Sequence, residues 1–337
     1  MRRFAEELRS EGFSVDYRVA SSMREGVQQH IAEMQPSAVV TTEPNSFAAR
    51  ELVKSLGIQT VPSDQFLCHP DEYSQFMGER RTIKMEDFYR WQRRRLNVLL
   101  DGDQPCHGQW NFDAENRLPP PKTGHDRWPT PRTYEFDALD QQVISDVGEN
   151  SWGDAPTGVW ATTRDDALQR LNYFVEQILP VFGEHEDAML NSNWHLAHSL
   201  LSPYLNNGLL LPMEVIRAAE SAYRSGDVPI NSAEGFIRQI LGWREYIWNC
   251  YWRWMPDYAG MNELQAERDL PRMFLDPEAT QMSCMKSVVH NVQQRSYAHH
   301  IERLMVLGNF SLIAGINPQQ LTSWMWENFI DAAEWVM

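Results

Sequence analysis

Two hydroxyls stand three residues apart in Ser199-Leu-Leu-Ser-Pro-Tyr-Leu-Asn-Asn-Gly208, beside a proline that opens a turn. Ser199 and Ser202, with neighbouring backbone N–H groups, have the chemistry to hold phosphate oxygens. Taken alone, the same pattern is an ordinary helix cap. Further on, Gly242-Trp-Arg-Glu-Tyr246 sets an indole, Trp243, beside a guanidinium, Arg244. Such a pair can stack on a flat ring and bind an anion, or it can be a core aromatic next to a surface ion pair. Tyr297-Ala-His-His-Ile-Glu-Arg-Leu-Met305 places two imidazoles side by side, followed by Arg303. Imidazole titrates near neutral pH and can give a proton to an oxygen that must leave. Neighbours on a helix point ~100° apart, so only one of His299 and His300 need face a pocket. Asp331 follows, in Phe329-Ile-Asp-Ala-Ala-Glu-Trp335.

Two other groups of residues are candidates for chemistry. Cys68, Cys106, Cys250 and Cys284 form no C-x-x-C pair and match no short-loop zinc spacing, so a zinc site is rejected. Arg80, Arg81, Lys84, Arg90, Arg93, Arg94 and Arg95 crowd one helical segment, which reads as a nucleic-acid patch or as a solvated face.

The elements that must position these residues fall into two halves of a 337-residue chain. Residues 1–63 alternate between helix and strand: a helix ending at Gly12, strand 14–19, helix 22–34, strand 37–42, helix 46–56 and a strand over 57–62. That alternation predicts a doubly wound, Rossmann-like parallel sheet, although its first element is a helix. We take the α/β domain as 1–100, a Pro-, Gly- and Asp-rich linker as 101–158, and an all-α domain as 159–337. In the last, helical periodicity covers 233–254, 283–295, 298–313 and 318–329. Thirty basic against forty-six acidic residues give a net charge of −16, which argues against a sequence-independent polyanion binder. Nothing approaches the ~20 apolar residues of a membrane span. With four cysteines and no leader-like start, the expectation is a cytoplasmic protein in a reducing compartment.

The order of the four motifs, on a helical half behind an α/β half, resembles the photolyase/cryptochrome family. Met85–Arg117, Phe182–Leu190 and the adjacent His299-His300 are similar to its bacterial iron–sulfur, (6-4) photolyase-like branch. The resemblance implies an all-α FAD-binding domain with Ser199, Leu201 and Ser202 at the flavin phosphates. Arg244, His300 and the Arg303–Asp331 pair would line the flavin. It also implies Trp243, Arg244, Arg93, Arg94 and Arg95 on DNA, Trp324 in electron transfer, and His299 or His300 in proton transfer to the lesion. Cys284 would be one ligand of a 4Fe-4S cluster whose other three thiolates this chain lacks, so no cluster is expected to assemble here. A ribityl-lumazine antenna belongs to the branch, but against the family both ends of the chain look incomplete. The expected activity is light-driven repair of (6-4) photoproducts in UV-damaged DNA by a monomer. The alternatives are a cryptochrome-like blue-light photoreceptor and a truncated family fragment without function.

Overall fold

The charged, amphipathic opening segment folds as α1 (Arg2–Ser10), followed by α2 (Met23–Met34), which Ser22 caps through Glu25 N. Strand β1 (Val40–Thr42), helix α3 (Phe47–Ser55) and strand β2 (Gln59–Val61) form a βαβ unit whose two strands pair in parallel, Val40 opposite Gln59. The computed structural model describes residues 1–123, 128–148 and 151–337. It divides into two compact units, Met1–Ser63 and Asp64–Met337.

The first unit departs from expectation in one element. Residues 14–19 alternate as a strand should, yet they form none, and the sheet of this unit has two strands. A strand is stable only when its backbone groups find a partner ladder. No such ladder runs beside residues 14–19, and Val19 is 89% exposed. Ala5 is the only buried residue in the unit.

Asp64–Met337 holds the core. Residues 64–100, expected with the α/β half, pack here instead. Helix α4 (Pro70–Met77) starts with Pro70 and a His69–Glu72 capping box, and α5 (Met85–Leu96) follows. Cys68, Tyr73, Met77, Ile83 and Phe88 form a small buried cluster that Tyr246 covers. Gly242 lets α5 approach closely: a Cβ there would stand 3.0 Å from Met85 Sδ.

Within the expected linker, residues 124–127 and 149–150 lie outside the described residues. A two-strand ribbon, β3 (Leu100–Asp101) with β4 (Gln104–Pro105), begins the segment, and α6 (Ala138–Val147) lies inside it. It is tied down at many points. Phe112 N donates to Glu234 Oε2 (3.1 Å), and Arg170 Nη2 donates to Arg132 O (2.8 Å) and Val159 O (2.5 Å).

The remainder is helical: α7 (Arg164–Tyr173), α8 (Ser202–Asn207), α9 (Pro212–Ser225), α10 (Ile230–Ile237), α11 (Glu245–Trp254), α12 (Ser283–Arg295), α13 (His300–Glu302), α14 (Asn309–Ala314) and α15 (Pro318–Asn328). The helices expected over 233–254 and 298–313 are each interrupted by π-helical turns, Arg238–Arg244 and Arg303–Gly308. A π turn inserts a residue into the 3.6-residue repeat and often occurs where function needs a side chain re-aimed. Both turns carry a motif residue. No helix among the described residues is long and apolar enough to cross a membrane.

The basic helix α5 is not a free cationic face. Arg93 is fully buried and donates to three carbonyls: Val98 (3.2 Å), Leu99 (2.6 Å) and Trp110 (2.9 Å). Left-handed Asn97 and Leu99 turn the chain so that those carbonyls point back at α5. Removing one partner from buried polar groups costs ~1–3 kcal/mol each. Arg93→Met is therefore expected to lower stability by about 3 kcal/mol, read as a lower urea midpoint at unchanged slope. Arg94→Met, on the exposed side of the same turn, should move it by less than about 0.5 kcal/mol.

Candidate active site

Three of the four motifs meet around one carboxylate, and the fourth joins them through α8. Asp331, just past α15, is buried. Its Oδ2 accepts from Ser202 Oγ (2.6 Å) at the first turn of α8 and from Arg303 Nη2 (3.0 Å) at the start of the second π turn. Its backbone carbonyl accepts from Asn206 Nδ2 at 2.7 Å. Arg303 also donates through Nε to Ala298 O (2.6 Å) and lies over the Phe329 ring at 4.3 Å. The guanidinium is thus fixed by a carboxylate, a carbonyl and an aromatic face.

Arg244, in the first π turn, sits on the other side of α8. Its Nη1 donates to Gln65 O (2.9 Å), its Nη2 reaches Leu205 O (3.4 Å), and it stacks over Phe66 at 4.0 Å. Trp335 closes this aromatic box, edge-on to Phe66 at 5.2 Å. Glu245 is buried next to Arg244 and accepts from Leu67 N (2.8 Å) and Cys68 N (2.9 Å). Burial pushes the Glu245 carboxyl up to about 7 and the Arg244 guanidinium down to about 10. Gln65 bridges the halves by donating to Leu205 O (3.0 Å) and Asn206 O (2.6 Å).

The histidines form the third wall. His299 is fully buried and stacks on His198, ring centroids 4.4 Å apart and planes 18° from parallel. Burial drives the His198 imidazole down to about 3 and the His299 imidazole well below its ordinary value, so both rings are neutral at physiological pH. His300 is exposed, so the two neighbours face different surroundings. Leucines 196 and 200 flank His198 and Ser199 in left-handed backbone (φ 45° and 57°). Such a conformation costs of order 1–3 kcal/mol for a bulky residue and collects at functional sites.

Several buried polar atoms of this region have no protein partner among the described residues: Asp331 Oδ1, Arg244 Nε, His198 Nε2 and both ring nitrogens of His299. Buried polar groups normally pair, so these unpaired ones are open to a ligand.

Residues 1–158 match the family described as deoxyribodipyrimidine photo-lyase-related protein. A (6-4) photolyase of Agrobacterium fabrum is 41% identical over the whole chain, which covers 69% of that protein. The chain belongs to the photolyase-related family. Its fold is similar to that of a crystal structure of a class III photolyase from Agrobacterium tumefaciens, with a TM-score of 0.61 at 19% identity. That match covers 93% of this chain, which spans 62% of the length of the photolyase in the crystal. An uncharacterised protein of Acanthamoeba polyphaga mimivirus is 38% identical over 63 residues, 18% of this chain and 48% of its own.

Within this photolyase-related chain the other residues named from sequence fall in several places. Leu201 is buried, and Ser199 Oγ accepts from Leu201 N at 3.3 Å, leaving its hydroxyl proton to donate. Trp243 is 45% exposed, with its ring edge toward Tyr246. Trp324 is buried edge-on to Phe274 (5.0 Å), Phe329 (5.8 Å) and Trp152 (6.4 Å). Two of the expected DNA contacts are corrected. Arg93 is spent on carbonyls, and Arg95 on Glu72 (2.8 Å) and the Leu67 carbonyl. Arg94 remains exposed, stacked on Trp110 at 4.4 Å. Cys284 is exposed at the first turn of α12, whereas Cys68, Cys106 and Cys250 are buried, with thiols pushed up chiefly by burial. Among the described residues no three His, Cys, Asp or Glu side chains gather as metal ligands. These residues do not fit the thiolate set of an iron–sulfur cluster.

Sequence reasoning missed Phe66, Trp335 and Glu245 as walls of the site, because only the π turn at Arg244 brings them together. Asp331→Ala strands Arg303 without its counter-charge and is expected to cost about 3 kcal/mol. Ser202→Ala should cost about 1–2 kcal/mol. In the double variant the two losses should fall short of their sum by at least 0.5 kcal/mol, read from thermal or urea unfolding, because both remove one shared bond.

Proposed function

We propose that the protein is a light-driven DNA-repair flavoprotein acting on (6-4) photoproducts. The observation that carries this reading is the convergence of three sequence-distant motifs on the Ser202–Asp331–Arg303 cluster, with Arg244 of the fourth on the same helix α8, in a chain 41% identical to a (6-4) photolyase. The unpaired atoms of Asp331, Arg244 and His299 fit a polar cofactor that offers both donors and acceptors. FAD is such a group, and when bound it supplies a blue-light-absorbing electron donor.

In this reading Ser199 donates its free hydroxyl proton to a phosphate oxygen. Leu201 packs beneath it, and Ser202 holds Asp331 in place. Arg303, clamped between Asp331 and Phe329, keeps a fixed positive charge beside the ring's polar edge. Arg244 acts through Phe66 and Trp335, which it stacks on, since its Nη atoms are already taken by carbonyls and Glu245. Trp243 offers a half-exposed indole for an extruded base. Base extrusion costs a few kcal/mol and is easiest at damaged sites. His299 or His300 moves the proton that the lesion's migrating hydroxyl requires. Arg94, beside Trp110, supports a phosphate contact. Trp324, edge-on to Trp152, supports electron transfer. Residues 1–63 are read as the α/β half of the family's doubly wound architecture, with no antenna seat assigned to them. No step runs through an iron–sulfur cluster.

The test is repair of a (6-4) photoproduct in a defined oligonucleotide by the purified, flavin-reduced protein. Blue light should restore the undamaged bases, and darkness should not. Light-dependent flavin reduction without restoration would replace this reading with that of a photoreceptor.

A further inference from the structure

Behind the candidate site lies a buried group that the reading above does not use. His299 is the N-cap of α13 and Glu302 its third residue, whose carboxyl turns back toward the cap and accepts from the His299 backbone N–H. Glu302 Oε1 stands 3.7 Å from His299 Nε2, and both side chains are almost wholly buried. Glu302 Oε2 has no protein partner among the described residues. On its other face His299 stacks against His198, which is buried as well. The three groups form a short column: carboxyl, imidazole, imidazole.

The charges around the column decide where its proton resides. His299 is flanked by His198, His195, His300 and Arg303, each of which opposes an imidazolium. Arg303 is paired with Asp331, and on Glu302 burial outweighs the His299 backbone N–H and the charge of Arg303, which both favour the carboxylate. Burial raises the Glu302 carboxyl to about 7 while it lowers His299, so below pH 7 the favoured state is a protonated carboxyl beside a neutral ring. A carboxyl kept neutral near pH 7 is a proton reservoir.

Resting on the repair reading, we propose that Glu302 is a positioning residue that feeds a proton through His299, with His198 holding the ring in plane. His299 gives its Nδ1 proton to an oxygen on the bound lesion. Glu302 Oε1 then passes its proton to Nε2, after a closure of about 1 Å to hydrogen-bond distance. The imidazole is neutral before and after, and the negative charge appears on Glu302. When the lesion oxygen returns its proton to Nδ1, Nε2 returns one to Glu302, and the cycle closes with no net uptake. Glutamine in place of Glu302 would keep the shape but has no acidic proton to pass.

The test compares wild type, E302Q and H198F with flavin bound, in two measurements. Infrared difference spectra of the dark protein between pH 6 and pH 8.5 should contain one protonated-carboxyl band that titrates near pH 7 and is missing from E302Q. The repair rate of wild type should fall as pH rises through 7. In E302Q it should be at least tenfold lower at pH 6 and flat across that range. H198F keeps a stacked ring, so whatever its absolute rate, that rate should still fall as pH rises through 7. Equal flavin content in all three excludes a folding defect. A wild type that repairs while E302Q matches its rate and profile would overturn the relay alone. So would a carboxyl band that survives in E302Q. A wild type that repairs nothing at any pH contradicts the reading of the site, and the relay's use with it.

Discussion

The Asp331 carboxylate accepts from a hydroxyl 129 residues away and a guanidinium 28 residues away, in a region almost closed to water. A buried charge without a partner costs several kcal/mol, so Arg303 and Asp331 each require the other. Ser202 joins α8 to the pair, and Asn206 ties the same helix to the Asp331 backbone. Gln65 extends the link from α8 to the segment that carries Phe66. A helix of only six residues thus becomes the common support of three motifs.

This constraint explains why the walls differ in character. Arg244 has its charge stabilised by an aromatic ring, two carbonyls and the Glu245 carboxyl at 3.3 Å, which leaves it rigid and largely unavailable to an anion. Arg303 has a single carboxylate partner, so its charge is nearly balanced while its position is fixed. The histidine wall carries no charge, because burial and the neighbouring cations remove the imidazolium. In the proposed function, the charged wall would set the charge beside a flavin and the histidine wall would supply a proton.

Much of the helical half was legible from apolar spacing. Helix 283–295 was expected with the bounds it has, and 318–329 to within one residue. The motifs themselves were legible as short runs, because residues three or four apart on a helix must share a face. What was not legible depends on geometry that spacing does not encode. A π turn leaves no periodic trace, so the box of Arg244, Phe66 and Trp335 was hidden. Arg93 read as an exposed cation until the left-handed turn at Asn97 and Leu99 aimed carbonyls at it. Residues 14–19 have a strand's alternation, but alternation cannot supply a neighbouring strand.

The central claim is that four motifs build one flavin seat, and affinity for FAD tests it most directly. Fluorescence quenching titrations of the apoprotein would compare wild type with the Ser199→Ala, Ser202→Ala double variant. Each hydroxyl bond to a charged phosphate, or to the carboxylate that shapes the seat, is worth ~1.5–3 kcal/mol. The account predicts a dissociation constant raised at least tenfold. Unchanged affinity in a folded double variant would contradict it.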